Sequence, residues 1–526
     1  MTEKIIIADD LPSSAIDLLR QVDGWTVDAR SGRSPSELGA DLTDASALII
    51  RSATQVNAGM ISGAPRLRVI ARAGTGIDNV DVDAASARGI LVMNAPGGTS
   101  ISVAELTCGL MLSLARRITA ADAAMKQGRW EKQRFAGAEL RGKVLGLVGL
   151  GRIGQEVAQR ARPFDMGIVA HDPFISPQVA ADIGVELVSL EELCAQADYV
   201  SLHVPLTPET RQMFNAERLA RCKPGVRLIN TARGDLIDEV ALVDALRSGQ
   251  VAGAALDVFA QEPLKNWQLA SLPQVIATPH IAASTVEAQE LVGLDTATAV
   301  RDFLRDGAIR NAVNFPAVPF DEFKRLQPFM VLAERLGSLV AQTGPARIEA
   351  IGIRYYGEVA RANGELLASA VVAGALKPIL SAVTLINARK LAAGRGVEVI
   401  ESRSSRQRNF TSVMSVKVHG ADGERWVEGT VFDHGAQRLV LIDGVAVEAP
   451  LEGSLLIICN EDRPGVIGEV GTILGRHAIN IANFALGRGA SGAIGVVNVD
   501  EAAVSEKVLK EIRAVSAIRQ AWLVRL

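Results

Sequence analysis

The chain has 526 residues, more than one hydrophobic core usually serves, so roughly three to four domains are expected. Hydrophobic residues make up 48% and charged residues 22%, the balance of a soluble globular protein. Aromatics are only 4%, which leaves Val, Ile, Leu and Ala to fill the cores. A net charge of −4 argues against a general nucleic-acid or membrane-surface binder, though not against a local basic pocket.

The opening MTEKIIIADD carries charges at once, so no secretory leader is expected. KIIIAD (residues 4–9) predicts a strand, SSAIDLLRQV a helix and ALIIRSAT a strand with a polar end. RLRVIARAGTGIDNVD and GILVMNAPG each predict a strand followed by a turn. Strands alternating with helices imply a parallel sheet covered by helices. Arg51 ends one strand and Arg72 precedes the AGTG turn. Two guanidinium groups beside backbone N–H groups make a plausible anion cradle, with two solvated arginines as the plain alternative.

A helix is predicted over residues 103–117, followed by six apolar strands: KVLGLVG, GIVAHD, YVSLHV, VRLINTA, AGAALDV and VIATPH. Near-continuous apolarity suits parallel strands buried on both faces. Gly149-Leu-Gly151-Arg152-Ile153-Gly154 lies between the first of these strands and a helix, as a dinucleotide site requires. Gly149 permits the tight turn, Gly151 the approach of a pyrophosphate and Gly154 close helix–strand packing. Asp172, 18 residues after Gly154, ends the next strand, where a carboxylate accepts from ribose hydroxyls and repels a 2′-phosphate. The expected cofactor is therefore NAD.

In a doubly wound sheet the ligand lies beyond the carboxyl ends of the strands. Thr231, Arg233, Asp257 and His280 follow or end such strands, and Glu262 lies in the loop DVFAQEP. Loss of a hydroxyl proton suits a histidine, whose unperturbed pKa is about 6.5. A neighbouring carboxylate would orient its ring, and an arginine would grip a substrate carboxylate. His280, Glu262 and Arg233 supply one of each. His171 and His203 also end strands but have no acid partner in sequence, and are expected to be structural or cofactor-adjacent.

A helix is predicted from 285 to 306, and NAVNFPAVP (311–319) reads as a linker. Beyond it, PFMVLAERLGSLVAQ is helical, while TSVMSVKVHG, RWVEGTVFD and RLVLIDGVAVEAP are rich in strand formers. Residues 366–386 are almost wholly apolar, but Lys377 and Pro378 sit at their centre. A lysine there would cost about 2.5–3.5 kcal/mol in a bilayer, so a buried helix or strand is expected. Residues 454–526 read strand, helix, strand, strand, helix, strand, the ferredoxin-like order. Cys108, Cys194, Cys222 and Cys459 show neither metal-ligand spacing nor a disulfide framework, which fits a reducing cytoplasm and a protein without a metal site.

RSATQV, RAGTGIDNVD, GLVGLGRIGQEVA, NTARGDLIDE, ALDVFAQEP and PHIAAST resemble the D-isomer-specific 2-hydroxyacid dehydrogenases over about residues 1–315, in their long form with two further domains. The resemblance implies an α/β chain of two doubly wound parallel-sheet domains. A flavodoxin-like substrate domain takes 1–98 with 285–314, and a Rossmann NAD domain takes 99–284. An α+β intervening domain (315–450) and a ferredoxin-like ACT domain (452–526) follow. It implies Arg233, Glu262 and His280 as the catalytic trio, and NAD contacts at Thr75, Arg152, Ile153, Asp172, Pro205, Thr231 and Asp257. The implied substrate is 3-phospho-D-glycerate, oxidised to 3-phosphohydroxypyruvate at the head of serine biosynthesis, with Arg51 and Arg72 on the phosphate. The basic segment Arg129-Trp130-Glu131-Lys132-Gln133-Arg134 approaches the substrate across a dimer interface in relatives.

CNEDRPGVIGEVGTILGRHAINIANFALGR resembles the ACT domain. By that resemblance Asn460, Asp462 and Asn480 would bind an L-serine effector between two such domains, in a homodimer or homotetramer. Lys377, Arg389, Lys390, Arg403, Arg406 and Arg408 would permit an anionic effector on the intervening domain, or form a solvated basic face. Two alternatives stay open: a reductase of glyoxylate, hydroxypyruvate or 2-oxoglutarate, and a non-enzymatic NAD(H)-sensing interaction protein.

Overall fold

The computed structural model describes residues 2–316, 320–362, 364–380, 382–406, 408–490, 492–500 and 504–526. The chain folds as two compact units, one of Met1–Asp10, Ile16–Asn94 and Thr296–Leu526, the other of Leu11–Ala15 and Ala95–Asp295.

The first unit begins with β1 (Glu3–Ile7), β2 (Trp25–Ala29), β3 (Ala47–Ile50), β4 (Val69–Arg72) and β5 (Leu91–Asn94). All neighbours are parallel, in the order β2-β1-β3-β4-β5, which is the flavodoxin-like order. The sequence predicts four of these strands. β2 (WTVDA) lies at the sheet edge, only partly buried, and lacks the apolar run that marks its neighbours.

The second unit holds β6 (Val144–Val148), β7 (Gly167–His171), β8 (Glu186–Leu187), β9 (Tyr199–Leu202), β10 (Val226–Asn230), β11 (Val251–Leu256) and β12 (Val275–Ala277). They form a seven-stranded parallel sheet in the order β12-β11-β10-β9-β6-β7-β8. The chain reverses direction across the sheet between β6 and β9, the switch point beside which doubly wound folds bind ligand. β8, with two residues, is the one strand the sequence pattern does not show. One core face packs the Ser100–Arg116 helix over Leu145, Leu147 and Ile229, the other packs Leu193, Cys194, Leu219 and Cys222 over Val200 and Leu228.

Within the Val286–Asp306 helix, at Thr296, the first unit resumes. Ala317–Pro319 of the expected linker lie outside the described residues. β13 (Ala350–Gly357), β14 (Glu398–Ser404), β15 (Ser412–Gly420), β16 (Gly423–Val431), β17 (Gln437–Ile442) and β18 (Val445–Pro450) follow in a mixed sheet, order β14-β13-β15-β16-β17-β18. Of these, β13 and β14 are absent from the sequence expectation. The apolar stretch resolves into the buried helix Gly364–Leu376, and Lys377 just beyond it pairs with Glu334 at 2.5 Å. Among the described residues no helix is long and apolar enough to cross a membrane.

β19 (Ser454–Asn460), β20 (Ile481–Gly489), β21 (Gly492–Val499) and β22 (Ile518–Arg525) form an antiparallel sheet, order β20-β21-β19-β22, interleaved with helices Val466–Arg476 and Glu506–Arg513. This is the expected ferredoxin-like arrangement. Arg425 of β16 is nearly buried beneath it: its guanidinium stacks 4.6 Å from the Trp522 ring, donates to the Thr343 carbonyl and pairs with Asp443. An arginine with its donors satisfied and its flat face on an indole is a low-entropy fastener between two sheets.

Candidate active site

The glycine-rich turn leaves β6 and enters the helix Arg152–Ala161. Gly149 has φ +95°, and a Cβ there would lie 2.6 Å from the His203 carbonyl; at Gly154 it would lie 2.3 Å from the Gly149 carbonyl. No larger residue fits either place. Around Gly151 a Cβ would meet nothing within 4 Å, so the backbone is open to an approaching group. The helix receives no side-chain cap, leaving its first amides for an anion. The Asp172 carboxylate is held at the tip of β7 by the Leu150 amide at 2.8 Å and the Phe174 amide at 2.9 Å. Each oxygen keeps a lone pair for a hydroxyl. These features fit a dinucleotide.

Of the other sequence-predicted nucleotide contacts in this unit, Arg152 is exposed on the first helical turn and Ile153 is partly buried. The Pro205 carbonyl accepts from the Thr210 hydroxyl at 2.7 Å. Thr231 is nearly buried, its hydroxyl bonded to that of Thr107 at 3.0 Å. Asp257 is fully buried, and its carboxylate turns towards the protein: it accepts from the Thr278 hydroxyl at 2.5 Å and from the Ile281 and Ala282 amides at 2.9 Å each.

Those bonds explain the backbone of His280, whose φ of +54° lies in the left-handed region that a non-glycine residue rarely adopts. Such strain costs about 1–3 kcal/mol and persists only where surrounding structure over-determines it. Here the His280 amide also donates to the Asp257 carbonyl at 2.9 Å, so one buried aspartate clamps both sides of the strained residue. The ring then meets Glu262, with Nδ1 2.6 Å from Oε2, while Oε1 accepts from the Phe259 amide at 2.9 Å.

The hydrogen bond to Glu262 raises the His280 pKa above its ordinary value, against the pull of burial and the nearby Arg233 charge. Burial alone would raise the Glu262 carboxyl; the His280 ring, the Phe259 amide and Arg233 outweigh it and hold the acid below its usual range. Arg233 lies in the turn after β10, its carbonyl accepting from Asn230 Nδ2 at 2.8 Å. Gly234 beside it is indispensable, since a Cβ would sit 1.9 Å from the Phe259 carbonyl carbon. The absent side chain lets the Arg233 turn press directly on the loop that carries Glu262. Neither Gly234 nor Thr278 stands out in the sequence; the motif NTARGD contains the glycine, but not what it touches.

His203 bonds Ser201 Oγ through Nε2 at 2.9 Å, and desolvation lowers its pKa to about 4, so it stays neutral. His171 Nδ1 lies 3.3 Å from the Val188 carbonyl. Both are built into the sheet rather than joined to an acid.

In the first unit, the register sets Arg72 opposite Ile50, one residue before Arg51, so the two arginines end adjacent parallel strands. The buried Asp9 carboxylate accepts from the Arg51 amide at 2.5 Å and the Thr54 hydroxyl at 2.7 Å, pinning that turn. Arg72 folds back over Gly74, where a Cβ would lie 2.3 Å from Nη1. Thr75 is exposed one residue on, its carbonyl accepting from Asn94 at 2.7 Å. Among the described residues, no hydrogen bond or ion pair joins Asn460, Asp462 and Asn480 to one another. Asn460 is buried and donates to the Glu461 carbonyl at 2.7 Å, Asp462 pairs with Arg488 at 3.4 Å, and Asn480 is exposed.

Three family models match the chain: the D-isomer-specific 2-hydroxyacid dehydrogenase NAD-binding domain over residues 108–282, the D-3-phosphoglycerate dehydrogenase intervening domain over 325–443, and the ACT domain over 454–517. D-3-phosphoglycerate dehydrogenase of Methanocaldococcus jannaschii is 41% identical over 527 residues, spanning 99% of this chain and 100% of the relative. The Mycobacterium tuberculosis protein of that name is 42% identical, over 93% and 92% respectively. Among solved structures, a glyoxylate reductase from Paecilomyes thermophila superposes with TM-score 0.55 at 31% identity, covering 59% of this chain and 98% of that one. A D-lactate dehydrogenase from Aquifex aeolicus complexed with NAD and lactic acid gives 0.53 at 29%, covering 60% and 100%.

Proposed function

The chain belongs to the D-3-phosphoglycerate dehydrogenases, a branch of the D-isomer-specific 2-hydroxyacid dehydrogenases, and from that premise we propose how its own residues divide the work of oxidising 3-phospho-D-glycerate to 3-phosphohydroxypyruvate. NAD, when bound, supplies the hydride acceptor. Gly149, Gly151 and Gly154 give its pyrophosphate a close backbone and a helix N-terminus, and Asp172 receives its ribose hydroxyls. Arg152, Ile153, Pro205 and Thr231 complete that cradle, and Thr75 of the first unit is a further proposed NAD contact. Asp257 acts one step back, holding the His280 loop.

The observation that carries the reading is the 2.6 Å bond between His280 Nδ1 and Glu262. It fixes the tautomer with hydrogen on Nδ1 and leaves Nε2 to take the substrate hydroxyl proton. Glu262 stabilises the resulting imidazolium, and Arg233 holds the substrate carboxylate. Arg51 and Arg72, at the ends of neighbouring strands, receive the phosphate. Residues 1–98 with 285–314 make up the substrate domain, 99–284 the NAD domain, 315–450 the intervening domain and 452–526 the ACT domain. L-serine, bound through Asn460, Asp462 and Asn480 between copies of the ACT domain in a homodimer or homotetramer, is the proposed effector. The basic residues of the intervening domain suit an anion, and cysteine usage suits the cytoplasm.

Steady-state NADH formation over a panel of 2-hydroxy acids tests this reading. 3-Phosphoglycerate should be the best substrate, and Arg51→Ala or Arg72→Ala should raise KM for it more than for an unphosphorylated acid. Equal losses on both would assign these arginines to the fold or to the common carboxylate.

A further inference from the structure

The helix Ser100–Arg116 turns an apolar face to the sheet, and a polar side chain stands in the middle of it. Thr107 is 1% exposed, on a helix that also buries Val103, Cys108, Leu110 and Met111. Its hydroxyl makes two bonds, to the Val103 carbonyl at 2.8 Å and to the Thr231 hydroxyl at 3.0 Å, just past the end of β10. A hydroxyl has one proton and a carbonyl can only accept, so the Thr107 proton goes to Val103. Thr231 is therefore the donor in the bond between the two hydroxyls. Its proton is spent inside the protein, and what it offers a further partner is a lone pair. Of the pair, Thr231 keeps the greater exposure, 7%. The register sets Asn230 opposite Leu256, so Thr231 and Asp257 lie side by side at the carboxyl ends of β10 and β11. Asp257 is turned inward, its two oxygens taken up by the Thr278 hydroxyl and the Ile281 and Ala282 amides. Of these two neighbours, Thr231 is the acceptor left for a ligand. Arg233 follows two residues later, and His280 stands on the loop that Asp257 clamps.

Resting on the NAD-dependent reading above, we propose that Thr107 is a positioning residue for the nicotinamide carboxamide. By fixing the Thr231 hydroxyl as an acceptor, it selects the NH2 of that group over its carbonyl. The cofactor ring must meet the substrate beside Arg233 and His280, and Thr231 borders that place. A carboxamide offers donors on its nitrogen and an acceptor on its oxygen, and half a turn about its bond to the ring exchanges them. A hydroxyl free to rotate accepts from the one or donates to the other, and does not tell them apart. With its proton committed it does, because a carbonyl in that position would set two acceptors against each other. Valine has nearly the shape of threonine, so packing on the apolar face alone does not call for the Thr107 hydroxyl. Thr107 acts only through Thr231.

The test is calorimetric titration of the nucleotide-free full-length protein with NADH and with its reduced 3-acetylpyridine analogue, in which a methyl group replaces the NH2. The wild type should bind NADH about three- to tenfold more tightly than the analogue, the worth of one hydrogen bond. Thr107→Val should lose about that factor for NADH and leave the analogue within about twofold. Thr107→Ser, which keeps the hydroxyl, should keep the preference. Adding Thr107→Val to Thr231→Val should weaken NADH no further than Thr231→Val alone, since the first acts through the second. Equal affinity of the wild type for the two nucleotides overturns the proposal, whether or not any variant folds. So does a Thr107→Val protein that binds NADH as the wild type does, or that loses both nucleotides equally, as a merely structural residue would. A wild type that binds neither nucleotide would instead remove the cofactor reading on which the proposal rests.

Discussion

The loop that carries His280 and the loop that carries Asp462 both leave the end of a β-strand, and they are held in opposite ways. Around His280, a fully buried aspartate takes up a hydroxyl and two amides to pin a left-handed residue, and the ring is locked to Glu262 at 2.6 Å. Around Asp462, the carboxylate remains 44% exposed and meets one arginine at 3.4 Å, while Asn480 faces solvent. The first arrangement is preorganised within one chain, as chemistry that must place a proton within tenths of an ångström requires. The second presents separate polar groups, as suits a site completed by ligand and a second copy. Catalysis should thus fail sharply on single changes, and regulation gradually.

The largest effect should come from His280→Ala. It removes the proton acceptor and should lower turnover by roughly 10²–10⁴-fold while NADH binding, measured by fluorescence, persists. A variant that keeps full turnover would break the proposed proton path. Asp172→Ala should weaken NAD by about 1.5–3 kcal/mol, roughly ten- to a hundredfold, with much less change for NADP, since it removes a charged acceptor of ribose hydroxyls. Equal use of both cofactors by the wild type would contradict that role.

Asp462→Ala should raise the serine concentration needed for half-inhibition by about tenfold and leave uninhibited turnover alone. Calorimetry that finds no serine bound to the intact oligomer would end the effector proposal, and with it half of the contrast drawn above.

What the sequence showed and what it hid follow the same physical division. The glycine-rich turn, Asp172, Arg233 and His280 were legible because each depends on local chemistry: a turn, a spacing, a polar residue following an apolar run. The βαββαβ tail was legible from its alternation. β2 and β14 were missed because edge strands such as WTVDA and EVIESRS are half polar, and β8 because it has two residues. The role of Asp257 was hidden because its partners lie 24 and 25 positions away and are backbone amides, which carry no sequence signal. Gly234 was hidden for the same reason: contacts that cross the fold are set by packing.

The most direct test of the central claim is the pH dependence of kcat/KM for 3-phosphoglycerate oxidation in the wild type and in Glu262→Gln. Proton removal requires neutral His280, so the rate should rise with pH through the imidazole pKa. Because Glu262 raises that pKa, the wild-type limb should lie above about 6.5. Replacing the carboxylate should move the limb to lower pH, while the reverse reaction, which needs the protonated ring, should lose rate at correspondingly lower pH. An identical limb in both proteins would mean that the His280–Glu262 bond does not govern the proton transfer.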